Sequence, residues 1–413
     1  MKFNDAPDRN YIKDIFVKYA KIHSRSSEEN PGKTPSTPVQ IEFGKVVVQD
    51  LKSLGITDVE QDANGYIVAR IKGNTNAPTV AFISHLDTYH STKGDGVVPI
   101  IHENYDGKDI KLPKEGTVIR LSDFPELAEK KGMTLITSSG DTLLGGDDKC
   151  GIAISMEVAK YLVSDKELKR GDVCFVFTPD EEIGHGAELL DLKKLNAVCA
   201  YTLDSEGFGT ITNETFCANF MTVEVKGKDI HPGYAKNKMI SAIRVAARFI
   251  EKLPMDKRPE TTEERQGFLH PTKIEGGVTS ATIGMLVRDF AVEGLDTLEN
   301  IAKKVAEDTQ KEFPGSEIII SVKKQYRNMG YELDKDPRVV AKAVKAMKAY
   351  GIDPKMSVAR GGTDGSRLSY RGLLTPDIPA GFYAPHGKME WVCLDEMCNS
   401  AKVLRYIITT WAN

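Results

Sequence analysis

The sequence predicts an α/β protein: a mostly parallel sheet with helices, carrying an inserted α+β (ferredoxin-like) lid. Three observations predict it. From residue 64 the chain shows short, continuously apolar, β-branched runs separated by helical patterns, the mark of a sheet buried on both faces. After Asn213 the order changes to βαββαβ, an open-faced sandwich pattern. From Pro337 strand–helix alternation resumes and continues to the end. The simplest arrangement is one discontinuous domain, residues 1–212 and 328–413, interrupted by a lid over 213–327.

The elements follow in order. Tyr11, Ile12, Ile15, Phe16 and Tyr19 recur at helical spacing. Ile41, Val47, Val48, Leu51 and Leu54 do the same before a stop at Gly55. The polar segment SRSSEENPGKTPSTP separates these two helices as a loop. Three strands come next, over 79–84, 172–177 and 197–202, and an amphipathic helix is expected over Gly151–Val163. The lid reads as a strand Phe220–Val225, a helix from about Lys238 to Leu253 and two strands around Gly277–Phe290. A helix Leu298–Phe313 capped by Asp296 and a strand Glu317–Gln325 complete it.

Composition sets the outer bounds. With 59 acidic and 55 basic residues the net charge is −4, so there is no excess of positive charge to hold nucleic acid. No run approaches the roughly 18 apolar residues of a membrane span, and the N-terminal MKFNDAPDRNYIKDIF has no leader-like apolar stretch. A cytoplasmic protein is the expectation. The six cysteines are scattered without a CxxC pair and read as buried free thiols.

The chemistry gathers at strand ends. The first of the three strands runs into His85-Leu-Asp87, the second into Pro179-Asp-Glu181-Glu182, and the third into Leu203-Asp204. In open α/β sheets the carboxyl edge is where ligands sit. Asp147, in Gly145-Gly-Asp-Asp-Lys149, opens a helix, and His386 follows much later in Tyr383-Ala-Pro-His386. Taken singly, a strand-end histidine is usually a satisfied polar residue and a Glu-Glu pair a solvated helix start. Together, so many carboxylates with two imidazoles repel one another unless cations neutralise them. Oxygen and imidazole donors without thiolate suit zinc, manganese or cobalt in a catalytic site. The His-x-Asp spacing puts both side chains on one side of an extended segment, so Asp87 is expected to accept the spare ring N–H of His85. His90, five residues past His85, reads as a loop histidine.

The segments Ser84-His-Leu-Asp-Thr88, Thr142-Leu-Leu-Gly-Gly-Asp-Asp-Lys149, Pro179-Asp-Glu-Glu-Ile-Gly184, Ala200-Tyr-Thr-Leu-Asp204, His231-Pro-Gly-Tyr-Ala-Lys-Asn-Lys238, Arg360-Gly-Gly-Thr-Asp-Gly365 and His386-Gly-Lys388 resemble the peptidase T family. That family is the tripeptide aminopeptidase branch of the two-zinc peptidases, which include carboxypeptidase G and the aminoacylases. The resemblance implies a zinc-bearing catalytic domain with a lid and two Zn2+ per chain, with Co2+ or Mn2+ as substitutes. It makes Asp147 the bridging carboxylate, with His85 and Asp204 completing one metal site and Glu182 and His386 the other. It makes Glu181 the general base and Asp87 the residue that orients the metal-binding histidine. It also implies that His231 donates to the oxyanion, while Arg288 and Arg360 clamp the substrate's carboxylate.

The chain departs from the family at Gly146, where alanine is usual, and at Met389, where a second histidine is common. The segment Tyr89-His-Ser-Thr-Lys-Gly-Asp-Gly96 is divergent and close enough to the metals to alter selectivity. Gly361-Gly362-Thr363-Asp364-Gly365 reads as a loop whose backbone approaches a ligand closely. The implied activity is hydrolysis of the N-terminal residue from tripeptides, with an aminoacylase or dipeptidase using the same metals as the alternative. The expected partner is a small peptide, and pairing into a homodimer through the lids is left open.

Overall fold

A computed structural model describes residues 6–30 and 32–412. Residues 1–5, to which the reading of the N-terminus extends, and Pro31 of the polar loop lie outside the described residues. The chain divides into two units. One comprises Met1–Asn213, Tyr331–Ser357 and Thr363–Asn413, and the other Glu214–Gly330 and Val358–Gly362.

The first unit is built on an eight-stranded sheet. Its four central strands, in spatial order Val173–Thr178, Val80–His85, Cys199–Ser205 and Asp377–Pro379, run parallel. The flanking strands Ile67–Ile71 and Thr210–Thr215 pair antiparallel to them. Val80–His85 and Val173–Thr178 are buried at every position, as their unbroken apolar runs require of strands covered on both faces. Phe82 stacks on Phe175 (6.0 Å) and on Tyr201 (5.9 Å), its direct neighbours in the parallel register. Each such pair contributes roughly 0.5–1.5 kcal/mol beyond burial and ties together the three strands that carry the site.

The helix Gly146–Ser164 is not the amphipathic helix expected over 151–163. Every residue from Gly146 to Ala159 is buried, including Glu157 and Ser155. It lies beneath the sheet and between other helices, so it has no solvent face to leave polar. Ile152, Ile154, Met156, Val158 and Leu162 enter the main core, each stabilising it by roughly 1.5–3 kcal/mol. Glu157 is tolerated there because Arg405 pairs with it. A small sheet in the order Phe382–Tyr383, Trp391–Cys393, Leu135–Thr137, Ile100–His102 supports the turn that bears His386.

The second unit has a four-stranded antiparallel sheet in the order Phe268–Gly276, Ser280–Asp289, Cys217–Lys226, Glu317–Tyr326. Helices Ala242–Lys252 and Val292–Glu312 pack on it through Val245, Phe249, Leu295, Leu298 and Ala302 against Met221, Val223, Ile283 and Met285. Element order is βαββαβ, but three boundaries differ from the sequence reading. The first helix starts at Ala242, not near Lys238, because residues 236–238 form a turn and Ile240 exchanges backbone hydrogen bonds with Lys228 (2.8 and 2.9 Å) just before the helix. The two strands flank residues 277–279 instead of following them. Asp296 lies inside a helix that begins at Val292, and Asp289 accepts the Ala291 N–H (2.9 Å) just before that start.

All six cysteines are free and buried. Among the described residues no helix is long and apolar enough to cross a membrane.

Candidate active site

The first unit brings His85, Asp87, Asp147, Glu181, Glu182, Asp204 and His386 together, each from a different kind of position. His85 is the last residue of a central strand, level with Thr178 of its neighbour. Glu181 and Glu182 sit on the short turn after Thr178, and Asp204 is near the end of Cys199–Ser205. Asp147 stands at the entry to the buried helix, where its backbone and that of Asp148 are not yet helical. His386 occupies a turn in the left-handed region (φ 67°).

The cluster is centred on Asp147. Its Oδ1 lies 2.8 Å from His85 Nε2, and its Oδ2 lies 3.2 Å from His386 Nε2. Around the first histidine, Asp204 Oδ1 is 3.7 Å from His85 Nε2. Around the second, Glu182 Oε2 is 2.9 Å from His386 Nε2. His85, Glu181 and Asp204, and likewise His85, Asp147 and Glu182, place ligand atoms within 4.8 Å of one another. Two donors of a tetrahedral ion at about 2.0–2.2 Å stand roughly 3.4 Å apart, so this spacing fits a metal site of histidine and acidic residues. A further observation agrees: Oε1 of Glu182 is buried without any hydrogen-bond partner among the described residues.

Protonation follows from the crowding. Burial, then the neighbouring Asp204, push Glu181 well above the usual carboxylate range. Burial, then Asp147, push Glu182 to about 8, and burial drives Asp204 to about 6. Burial opposes charge on His386, yet its bonds with Asp147 and Glu182 lift it to about 11. Asp147 alone goes the other way, because bonds from His386 and His85 outweigh its burial. Protons are thus drawn to a site holding more negative charge than its own residues neutralise, and bound cations would displace them.

His85 departs from the expected pairing with the Asp87 carboxylate. Its Nδ1–H donates to the Asp87 backbone carbonyl (2.9 Å), with the carboxylate at 3.5 Å. That bond still fixes the tautomer and leaves Nε2 facing the cluster. The Asp87 carboxylate instead accepts the backbone N–H groups of Glu181 (3.0 Å) and Glu182 (3.1 Å), holding the turn that carries both glutamates. Next to it Asp180 accepts from Ser36 N (2.7 Å), Ser36 Oγ (2.6 Å) and Gln40 Nε2 (2.7 Å), which ties that turn to the polar loop near the N-terminus.

Several contributors escaped the sequence reading. Asp148 accepts the backbone N–H of His85 (3.1 Å), and its only sequence signal was the Asp-Asp doublet. Glu390 is buried and accepts three backbone N–H groups, from Leu144 (2.7 Å), Gly145 (2.8 Å) and Asp147 (3.1 Å). It fixes the loop that presents Asp147, and nothing in its local sequence marks it. Gly146 belongs to the same loop, and a Cβ there would stand 2.6 Å from Val392 Cγ1, so a larger residue would need Val392 to shift. His90 approaches Glu28 (3.8 Å) and joins no ligand group among the described residues.

Three residues given substrate roles belong to the second unit. Arg288 is buried, donates through Nη1 to the carbonyls of Asn219 and Val287 (3.0 Å each), and lies over the Tyr326 ring. Arg360 donates to the carbonyls of Glu264 (2.8 Å) and Gln266 (2.9 Å) and to Thr262 Oγ1 (2.9 Å). His231 heads an exposed turn, where its Nδ1 accepts the Gly233 N–H (3.1 Å). Within the loop 361–365, a Cβ on Gly362 would meet the Tyr326 ring at 2.6 Å and one on Gly365 the Thr375 carbonyl at 2.6 Å, while one on Gly361 would meet nothing within 4 Å.

Residues 145–410 match the family described as peptidase family M20/M25/M40. The chain is 40% identical over 412 residues to the peptidase T of Clostridium botulinum, covering 97% of this chain and 100% of that relative. Its fold is shared with the aminopeptidase PepT of Bacillus cereus, at a TM-score of 0.76 and 24% identity, covering 98% of this chain and 100% of that one. A tripeptidase of Staphylococcus aureus gives a TM-score of 0.78 at 22% identity, covering 99% and 100%. With its histidine and carboxylate cluster at the carboxyl edge of a parallel sheet, this chain belongs to the M20/M25/M40 peptidase family and is a hydrolase of the metallopeptidase kind.

Proposed function

We propose that the protein is a dizinc aminopeptidase that removes the N-terminal residue from tripeptides. The observation that carries this reading is the placement of Asp147, one carboxylate oxygen against His85 and the other against His386. Asp147 would help to hold both ions, with His85 and Asp204 as the further residues for one and His386 and Glu182 for the other. The relative at 40% identity, a peptidase T, supports the substrate class. Cobalt or manganese would satisfy the same donors.

Two divalent ions held there would supply Lewis acidity, drawing electron density from the scissile carbonyl and lowering the pKa of a water beside them. The remaining work belongs to the chain. Glu181 takes a proton from the attacking water through its carboxylate and returns it to the departing amine. Asp87 keeps that carboxylate in place by accepting the Glu181 and Glu182 N–H groups. His231 is the proposed donor to the developing oxyanion, and Arg288 and Arg360 the proposed partners of the peptide's carboxylate. Free, buried cysteines fit a cytoplasmic setting.

The test compares hydrolysis of Ala-Ala-Ala, Ala-Ala and N-acetyl-alanine in the presence of zinc or cobalt. Preference for the tripeptide is expected, and preference for the acylated amino acid would replace this reading with an aminoacylase. In the same assay Glu181→Gln is expected to lower turnover by roughly 10²–10⁴-fold while metal content stays at two per chain. Unchanged turnover in that variant removes Glu181 from its role.

A further inference from the structure

The two histidines of the cluster are held in unlike ways. The His85 side chain is 2% exposed and fixed by its strand, whereas the His386 side chain is 43% exposed and sits on a turn. An imidazole that open, on a turn at φ 67° between the strands Phe382–Tyr383 and Trp391–Cys393, is not held within a strand or helix of its own. Two residues of the divergent segment after Asp87 supply what is missing. The Tyr89 ring lies flat on the His386 ring, with centroids 4.2 Å apart and planes within 4°. Thr92 Oγ1 donates to the His386 carbonyl at 2.6 Å. One contact fixes the plane of the ring and the other the backbone beneath it, and together they aim Nε2 between Asp147 (3.2 Å) and Glu182 (2.9 Å).

We infer that Tyr89 and Thr92 are positioning residues for His386, and that they set the affinity of the second metal ion independently of the first. The inference rests on the reading of His386 as a ligand of that ion. Tyr89 acts through the face of its ring, so the phenol oxygen is dispensable. The stacking and hydrogen bond of these two residues fall on His386, so the first ion is left alone. Partners that orient a metal-binding histidine are worth about 10–100-fold in metal affinity when lost.

The experiment measures stepwise binding of Zn2+ and Co2+ to the metal-free full chain, by competition with a chromophoric chelator and by the Co2+ absorption spectrum. In Tyr89→Ala the weaker step is expected to weaken by about 10-fold or more while the tighter step stays as in the unchanged protein. Tyr89→Phe is expected to restore it. Thr92→Val, a milder change that keeps side-chain volume, is expected to shift the same step in the same direction by a smaller factor. His386→Ala, as control, is expected to abolish the weaker step. If His386→Ala loses it while Tyr89→Ala retains both steps unchanged, the positioning role is overturned and the ligand assignment stands. If His386→Ala itself retains both steps, the ligand assignment falls and takes the positioning role with it. Equal weakening of both steps in Tyr89→Ala, or failure of Tyr89→Phe to restore binding, also overturns the inference.

Discussion

The His85 half of the metal cluster and the His386 half use the same donor types, yet they are built by opposite means. His85 ends a strand buried at every position, its Nδ1 bonded two residues on and its N–H bonded to Asp148. Its geometry comes largely from extended backbone and a packed sheet. His386 stands half-exposed on a left-handed turn and depends on side chains almost 300 positions away, at Tyr89 and Thr92. On the proposed reading, a two-ion site would join a rigid half to an adjustable one, with Asp147 placed against both histidines.

That shared residue offers the severest break in the comparison. Asp147→Ala is expected to lose both ions, because it removes one oxygen from each half. Since metal polarisation supplies several kcal/mol of transition-state stabilisation, kcat/KM is expected to fall by at least about 10³-fold. Elemental analysis and peptide hydrolysis check it, and retention of one tightly held ion would show that the halves are independent of Asp147.

A smaller effect is expected where the common loop is anchored. Glu390→Ala leaves the N–H groups of Leu144, Gly145 and Asp147 without their acceptor. An orphaned buried N–H costs ~1–3 kcal/mol, so urea unfolding is expected to show a loss on the order of 3 kcal/mol after partial relaxation. Both metal-binding steps should weaken, because the loop serves both halves. Weakening of one step alone would place the anchor in that half.

The gentlest measurement leaves the sequence intact and sharpens the contrast. Titrating the metal-loaded protein with a chelator is expected to remove its ions in two steps, at chelator strengths differing by roughly 10-fold, with the His386-side ion leaving first. A single step would mean that the exposed half is as firmly held as the buried one.

The legible parts of this molecule were those in which a few neighbouring residues carry the whole signal. The unbroken apolar run 80–83 announced a strand covered on both faces, and the His-x-Asp and Glu-Glu pairs at strand ends announced the site. The βαββαβ order of the second unit was legible for the same reason, though its helix starts were not. The Lys228–Ile240 pairing delayed one start to Ala242, and the other began at Val292, four residues before Asp296 and just after Asp289 accepts the Ala291 N–H. The buried helix Gly146–Ser164 was misjudged because periodicity reports one apolar face, whereas burial on all sides depends on what packs around it.

The sequence by itself determined the candidate ligand types, the delivery of His85, Glu181, Glu182 and Asp204 to the carboxyl edge of a sheet and the membership of the chain in a peptidase family. Those follow from local pattern, since residue identity, strand period and the end of an apolar run are all read within a few positions. Only the tertiary structure decided that the Asp87 carboxylate holds the Glu181–Glu182 turn instead of bonding the His85 ring. It alone decided that Glu390 anchors the Asp147 loop and that Tyr89 lies on His386. Each of these contacts joins segments about 90 to 300 residues apart, and a contact across that distance leaves no period, spacing or composition at either end from which it could be read.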